Sequence, residues 1–165
     1  MEEARAGHQD ALVSAVEGLR THLDGLILGI CCDRGLAEEV LQDVYVKVLT
    51  RIDRLRAAEA FVTWLDTIAV RSALDAIRWQ RPDQLDSSLD HDAPAADIDV
   101  ELTVAEALKA LPPNQRVVVV LHYWRDMAVQ DIADVVGCEV GTVKSRLSRG
   151  RDVLASTLTK EVLDA

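Results

Sequence analysis

Lys144, Arg146, Arg149 and Arg151 fall within eight residues with no acid among them. Cations gathered that tightly can hold phosphate oxygens, and arginine can also donate two hydrogen bonds to the edge of a base. Thr142, Ser145 and Ser148 lie between them and add hydroxyl donors. Other chemistry finds less support. Cys31, Cys32 and Cys138 match no metal-ligand spacing, and His8, His22, His91 and His122 are scattered. Neither a Ser-His-Asp constellation nor a glycine-rich phosphate loop is present. The sequence therefore predicts no catalysis, no metal and no cofactor. The cysteines are expected to be reduced and buried, with a thiol switch at Cys31-Cys32 as the alternative.

The cations need a rod to carry them. Residues 129–136 (VQDIADVV) predict a short helix with Ile132, Val135 and Val136 inward, ended by Gly137 where a left-handed residue is wanted. After the turn Gly137-Cys138-Glu139, a second helix runs from Val140 to about Leu158, with Val140, Val143, Leu147 and Leu154 inward. A helix, a glycine-containing turn and a basic second helix form the helix-turn-helix arrangement, and the small Ala133 lets the two helices approach. Upstream, residues 101–111 predict a helix broken by Pro112-Pro113, and another runs from Pro113 to about Tyr123.

The first half of the chain is helical in pattern as well. Helices are expected over about 10–31 and 35–53, the second buried along Val40, Leu41, Val44, Val48 and Ile52. A third begins near Ala60, carries Leu65, Ile68, Ala69, Ala73, Ala76 and Ile77 inward, and stops before Pro82. Trp64 is expected in the core. Residues 82–99 (PDQLDSSLDHDAPAADID) have no apolar period and predict a solvated acidic linker. The expected organisation is all-α. It comprises a tail over 1–9, a helical bundle over 10–81, a flexible acidic linker over 82–100 and the helix-turn-helix module over 101–165.

Charge follows the same division. The 165 residues carry a net charge of −10, but residues 82–110 hold 8 acids against 1 base, while residues 111–165 hold 7 of each. A chain that is acidic overall yet has one basic strip suits a protein that meets DNA with help from a larger partner. No apolar run is long enough to span a bilayer, and MEEARAGHQD is too polar for a secretory signal, so a cytoplasmic location without membrane insertion is expected.

Residues 111–154, LPPNQRVVVVLHYW followed by QDIADVVGCEVGTVKSRLSRGRDVL, resemble the C-terminal module, region four, of extracytoplasmic-function sigma factors of the sigma-70 family. AEEVLQDVYVKVLTRIDRL (37–55) and FVTWLDTIAVRSALDAIRWQR (61–81) resemble the region-two helices of the same family. The resemblance implies that core RNA polymerase is the partner, through the clamp helices of its largest subunit and its flap, with promoter DNA as the target. By position, Gln42 and Asp43 are implied at the clamp. Arg71, Ser72, Asp75, Arg78 and Arg81, all expected outward, are implied at the minus-ten element, with Trp79 stacking on an unpaired base. The loop containing Arg54 and Arg56 is implied to capture a flipped base. Thr142, Lys144, Ser145, Ser148 and Arg149 are implied at the minus-thirty-five element, with Arg146 and Arg151 on the backbone. An anti-sigma factor is implied as a regulator, and the linker is implied to thread through polymerase.

Several positions depart from the family pattern. Val70-Arg71 stands where an Arg-Asn pair is usual, Glu139 and Ala128 stand for capping serines, and His122 stands where an arginine often touches DNA. A histidine changes charge near neutrality, so a weaker, pH-dependent contact is expected from His122. Two other readings fit the residues: a dimeric helix-turn-helix regulator that binds alone, and an interaction module that titrates another regulator. Free of partners, the two modules should either tumble independently or close on each other.

Overall fold

The computed structural model describes residues 14–52, 55, 60–80 and 104–164, with side chains through Thr157. Among these residues every regular element is a helix. A short helical stretch over 14–18 leads through a turn at Leu19 into α1 (Arg20–Cys31). There follow α2 (Arg34–Arg51), α3 (Phe61–Gln80), α4 (Val104–Lys109), α5 (Pro113–Val119), α6 (Val129–Val136) and α7 (Val140–Asp164). A π-helical turn, Val120–Trp124, extends α5.

Local chemistry sets most of the boundaries. α1 ends at Cys32, whose backbone takes the left-handed conformation while its N–H bonds the Leu28 carbonyl. Asp33 then caps α2, its Oδ1 accepting from the Leu36 N–H at 2.8 Å. Pro113 opens α5 in the first turn, where its missing N–H costs nothing. Gly137, at φ 75°, closes α6 as expected, and its N–H and that of Cys138 both reach the Ala133 carbonyl.

The N-terminal three helices pack on one another. Leu23, Ile27 and Ile30 of α1, Val40, Val44 and Val48 of α2 and Leu65, Ala69 and Ala73 of α3 are all buried between them. In the C-terminal half, α7 lies across α5 and α6, burying Val143 and Leu147 against Val117, Val119, Ile132 and Ala133. Gly150 sits where α7 comes close to α5. A Cβ there would stand 2.8 Å from Val119 Cγ2, well inside van der Waals contact.

One feature differs from expectation. The helix after Pro113 widens into a π turn instead of continuing as a regular helix to Tyr123. The distortion is held by a loop that folds back: the Met127 N–H bonds the Leu121 carbonyl, and His122 Nδ1 bonds the Met127 carbonyl at 3.1 Å. Of the two arrangements expected for the free modules, tumbling or closed on each other, the structure shows the closed one. α1 packs on α5 and on the π turn, and α3 packs on α6, so one continuous core joins both modules.

Candidate nucleic-acid interface

α7 sorts its side chains as a recognition helix requires. Val143, Leu147 and Gly150 are buried, whereas Lys144, Ser145, Ser148, Arg149 and Arg151 are exposed along the opposite side. Thr142 is half-buried near the helix start. The start itself is made by the backbone, with the Glu139 carbonyl accepting from the N–H groups of Thr142 and Val143. Arg146 leans differently from its neighbours: half-buried, it directs Nη1 at Cys138 Sγ, 3.7 Å away. That contact ties α7 to the turn before it. The preceding helix α6 begins at Ala128 with no side-chain cap, as the replacement of a capping serine implied.

His122, in the π turn, is half-buried, and its ring stands edge to that of Tyr123. Its Nδ1 must donate to the Met127 carbonyl, so one of its two nitrogens is committed to holding the loop.

On α3, Arg71, Asp75, Arg78 and Trp79 are exposed, Trp79 to 90%. Asp75 and Arg78 form an exposed pair at 3.9 Å. Ser72 contradicts the expectation that it faces outward. It is buried, and its hydroxyl accepts a 2.8 Å hydrogen bond from Lys47 Nζ on α2. The reason is periodicity, since Ser72 stands three residues after Ala69 and four after Ile68, squarely on the buried stripe. Lys47 also pairs with Asp43, so one ammonium links α2's polar face to α3. Gln42 and Asp43 are exposed on α2, opposite Val40, Val44 and Val48. Arg54, Arg56 and Arg81 lie outside the described residues, as does the acidic linker.

Trp64 is half-buried against Phe61, ring centroids 6.2 Å apart, and packs against the core. The cysteines are unpaired thiols. Burial pushes the Cys31 thiol from its ordinary 9.0 up to about 12, and burial also raises that of Cys32. The Arg116 guanidinium beside them opposes both shifts without reversing either. Thiols held neutral in this way are poor nucleophiles.

Three residues that the sequence reading left unassigned make a polar cluster at the junction of the modules. Asp66 on α3 is buried to 5% exposure. It accepts from Arg125 Nη2 at 2.8 Å and from His22 Nε2 at 2.8 Å. Arg125 Nη1 in turn donates to His22 Nδ1 at 2.8 Å, and Arg125 Nη2 also contacts His22 Nε2. The only sequence signal was an aspartate inside an apolar helical stripe.

The helix-turn-helix with an exposed basic face defines the class: a DNA-binding protein built from two packed helical modules. Comparison with known proteins narrows this. Residues 9–82 match the family described as Sigma-70 region 2, and residues 101–154 the family described as Sigma-70, region 4. RNA polymerase sigma factor CarQ of Myxococcus xanthus is 31% identical over 165 residues, spanning 96% of this chain and 95% of the relative. The ECF RNA polymerase sigma factor SigW of Bacillus subtilis is 26% identical over 96% of this chain and 94% of its own length. In solved structures the same fold recurs. The sigma factor RpoE of Bartonella quintana, crystallised with the anti-sigma factor NepR, superposes with a TM-score of 0.68 at 24% identity. The match covers 88% of this chain and 97% of that one. CnrH, in complex with the cytosolic domain of CnrY, gives 0.67 at 24% identity over 96% and 94%. This chain belongs to the extracytoplasmic-function sigma factors of the sigma-70 family. As a member it binds core RNA polymerase and directs promoter recognition and transcription initiation. Among the described residues, no helix is long and apolar enough to cross a membrane.

Proposed function

We propose that α7 reads the minus-thirty-five element through Lys144, Ser145, Ser148 and Arg149, with Thr142 and His122 at its edge and Arg146 and Arg151 gripping the backbone. In the same reading α3 takes the opened minus-ten strand. Arg71 and Arg78 hold its phosphates, Trp79 offers a stacking surface, and Asp75 lies beside them. Ser72 contributes from behind, by anchoring Lys47. Gln42 and Asp43 meet the clamp helices of polymerase's largest subunit, and the flap receives the second module. The observation that carries the reading is the segregation on α7, where Val143, Leu147 and Gly150 are buried and Lys144, Ser145, Ser148, Arg149 and Arg151 are exposed.

The reading extends to parts supported by sequence alone. Arg54, Arg56 and Arg81 complete the minus-ten contact, and the seven acids from Asp83 to Glu101 occupy a polymerase channel built for phosphate. The boundaries we assign are 10–81 for the first module, 82–100 for the linker and 101–165 for the second. The protein works in the cytoplasm, without enzymatic activity or cofactor, under an anti-sigma factor. Mapping transcripts started by core polymerase reconstituted with this chain tests the whole. Start sites shared by a common pair of upstream elements are expected. Failure to bind core, or binding without start-site selectivity, would overturn it. A dimeric regulator would instead bind a two-fold site without polymerase.

A further inference from the structure

Asp43, assigned above to the clamp of polymerase, is not a free carboxylate. Its Oδ2 lies 2.5 Å from Lys47 Nζ, one helical turn further along α2. The same ammonium donates to the Ser72 hydroxyl on α3 at 2.8 Å. One cation therefore spans two helices, with an exposed acid at one end and a buried hydroxyl at the other.

The buried end changes what the exposed end can do. An exposed ion pair four residues apart on a helix orders its members weakly, because two flexible side chains lose freedom to meet across water. Arg20–Asp24 and Arg34–Glu38 are pairs of that kind, 3.7 Å apart with both side chains at least half exposed. Lys47 differs from them. Its side chain is 25% exposed, and its far partner Ser72 lies at 3% on the inward stripe of α3. A hydroxyl withdrawn from water needs such a donor. Folding has thus already fixed the ammonium, and Asp43 meets a cation whose place is set.

A carboxylate held in this way is oriented before any partner arrives, which removes part of the cost of ordering it at an interface. Lys47 also carries a positive charge that opposes an incoming cation. Geometry decides between the two effects. Lys47 occupies Oδ2 alone, and Oδ1 accepts no bond among the described residues. Two carboxylate oxygens offer about four acceptor sites, so a second donor can bind without displacing the first.

We propose that Lys47 is a positioning residue for the polymerase contact: pinned on α3 by the buried Ser72 hydroxyl, it holds the Asp43 carboxylate on α2 in the orientation that a donor of the clamp receives. The proposal rests on the assignment of Asp43 to the clamp. It makes the helix assigned to the clamp and the helix assigned to the opened strand share one side chain, whose anchor stands next to Arg71.

The test titrates core polymerase with the full chain as wild type, Asp43→Asn, Ser72→Ala and the double variant. Ser72→Ala, although its site is buried on the other helix, should weaken binding about three- to ten-fold, the ordering cost of one side chain. With Asp43→Asn already present, the same substitution should cost less than about two-fold. Lys47→Met keeps the apolar stem and should repeat this pattern in its own cycle with Asp43→Asn. Lys47→Arg, with donors enough for both partners, should stay within about two-fold of wild type. Helical circular dichroism selects the folded chains, and if Ser72→Ala fails to fold, the Lys47→Met cycle supplies the coupling. Losses that multiply fully in either cycle would overturn the proposal, because a merely structural Lys47 would weaken binding whether or not Asp43 is charged. Tighter binding by Lys47→Met, or equal losses for Lys47→Arg and Lys47→Met, would overturn it as well. Asp43→Asn that binds core like wild type would remove the clamp assignment and the proposal with it, a result distinct from independent losses.

Discussion

Replacing Gly150 with alanine asks α7 to accept one methyl group where no space exists for it. The new Cβ would lie 2.8 Å from Val119 Cγ2, with Gln115 Cβ next at 3.8 Å. Carbon atoms rest about 3.5–4.0 Å apart, so roughly 0.7 Å must be recovered. Val119 cannot simply turn away, because a β-branched side chain in a helix is held to one rotamer about nine times in ten. It is also buried among its neighbours. Relief therefore comes from prising α7 off α5, and overpacking of this kind costs about 1–3 kcal/mol. Alanine returns about 1 kcal/mol by its better helix propensity. The net expectation is a loss of about 1 kcal/mol, equivalent to a fall of about 2–4 °C in Tm for a chain of this size. Val119→Ala removes the obstructing methyl groups and costs about 2 kcal/mol by itself. In the double variant the methyl at 150 enters the vacated space, so the two losses should fall short of additivity by about 1–2 kcal/mol. Urea denaturation of the four chains measures this coupling. A Gly150→Ala chain more stable than wild type, or losses that add to within about 0.5 kcal/mol, would refute the close-contact argument.

Other positions give sharper functional tests. Arg149→Ala should cost the holoenzyme about 1–3 kcal/mol on its own promoter and relax the preference at one base, whereas Arg151→Ala should weaken all sequences alike. Binding measured across a panel of mutated minus-thirty-five elements separates them, and equal losses everywhere for both would refute the role of Arg149. With its thiol pushed up to about 12, Cys31 should resist iodoacetamide at pH 8 and react once urea unfolds the chain. Rapid labelling of folded protein at Cys31, read by peptide mass, would contradict its burial. Replacing the seven linker acids with serine or asparagine should lower open-complex formation or change abortive synthesis. No change in either would leave the segment as a spacer.

Much of the fold was legible because it depends on local rules. The stripe Val40, Leu41, Val44 and Val48 needs only a 3.6-residue period, and all four are buried. Gly137 needs only the knowledge that α6 must end in a left-handed residue. The exposed strip on α7 followed from the same period with its sign reversed. Ser72 shows where that reasoning was misapplied. Its type suggested a surface donor, but its spacing from Ile68 and Ala69 already placed it inside, and spacing won because α2 supplied a lysine to satisfy the hydroxyl. Gly150 was a signal left unread: a glycine in the middle of a 25-residue helix costs about 1 kcal/mol, which is itself a hint of close approach.

What could not be read locally is the division of cations between two tasks. Arg71, Arg116, Arg125 and Lys47 look in sequence like Lys144 or Arg151, each a base in a helical context. In the fold the first four turn to partners within the chain. Arg71 reaches α6 carbonyls, Arg116 the Leu108 carbonyl and the Cys31-Cys32 pair, Arg125 Asp66, and Lys47 Asp43 and Ser72. Every one of these partners except Asp43 is 8 or more residues away in sequence, beyond the reach of any helical period. An acidic chain with 18 bases can spend few of them on DNA. Folding decides which, by turning some to partners within the chain and leaving a strip of them exposed on α7. Arg71 stands on both sides of that division, bonded to α6 carbonyls in the structure and proposed as a phosphate contact of the minus-ten strand.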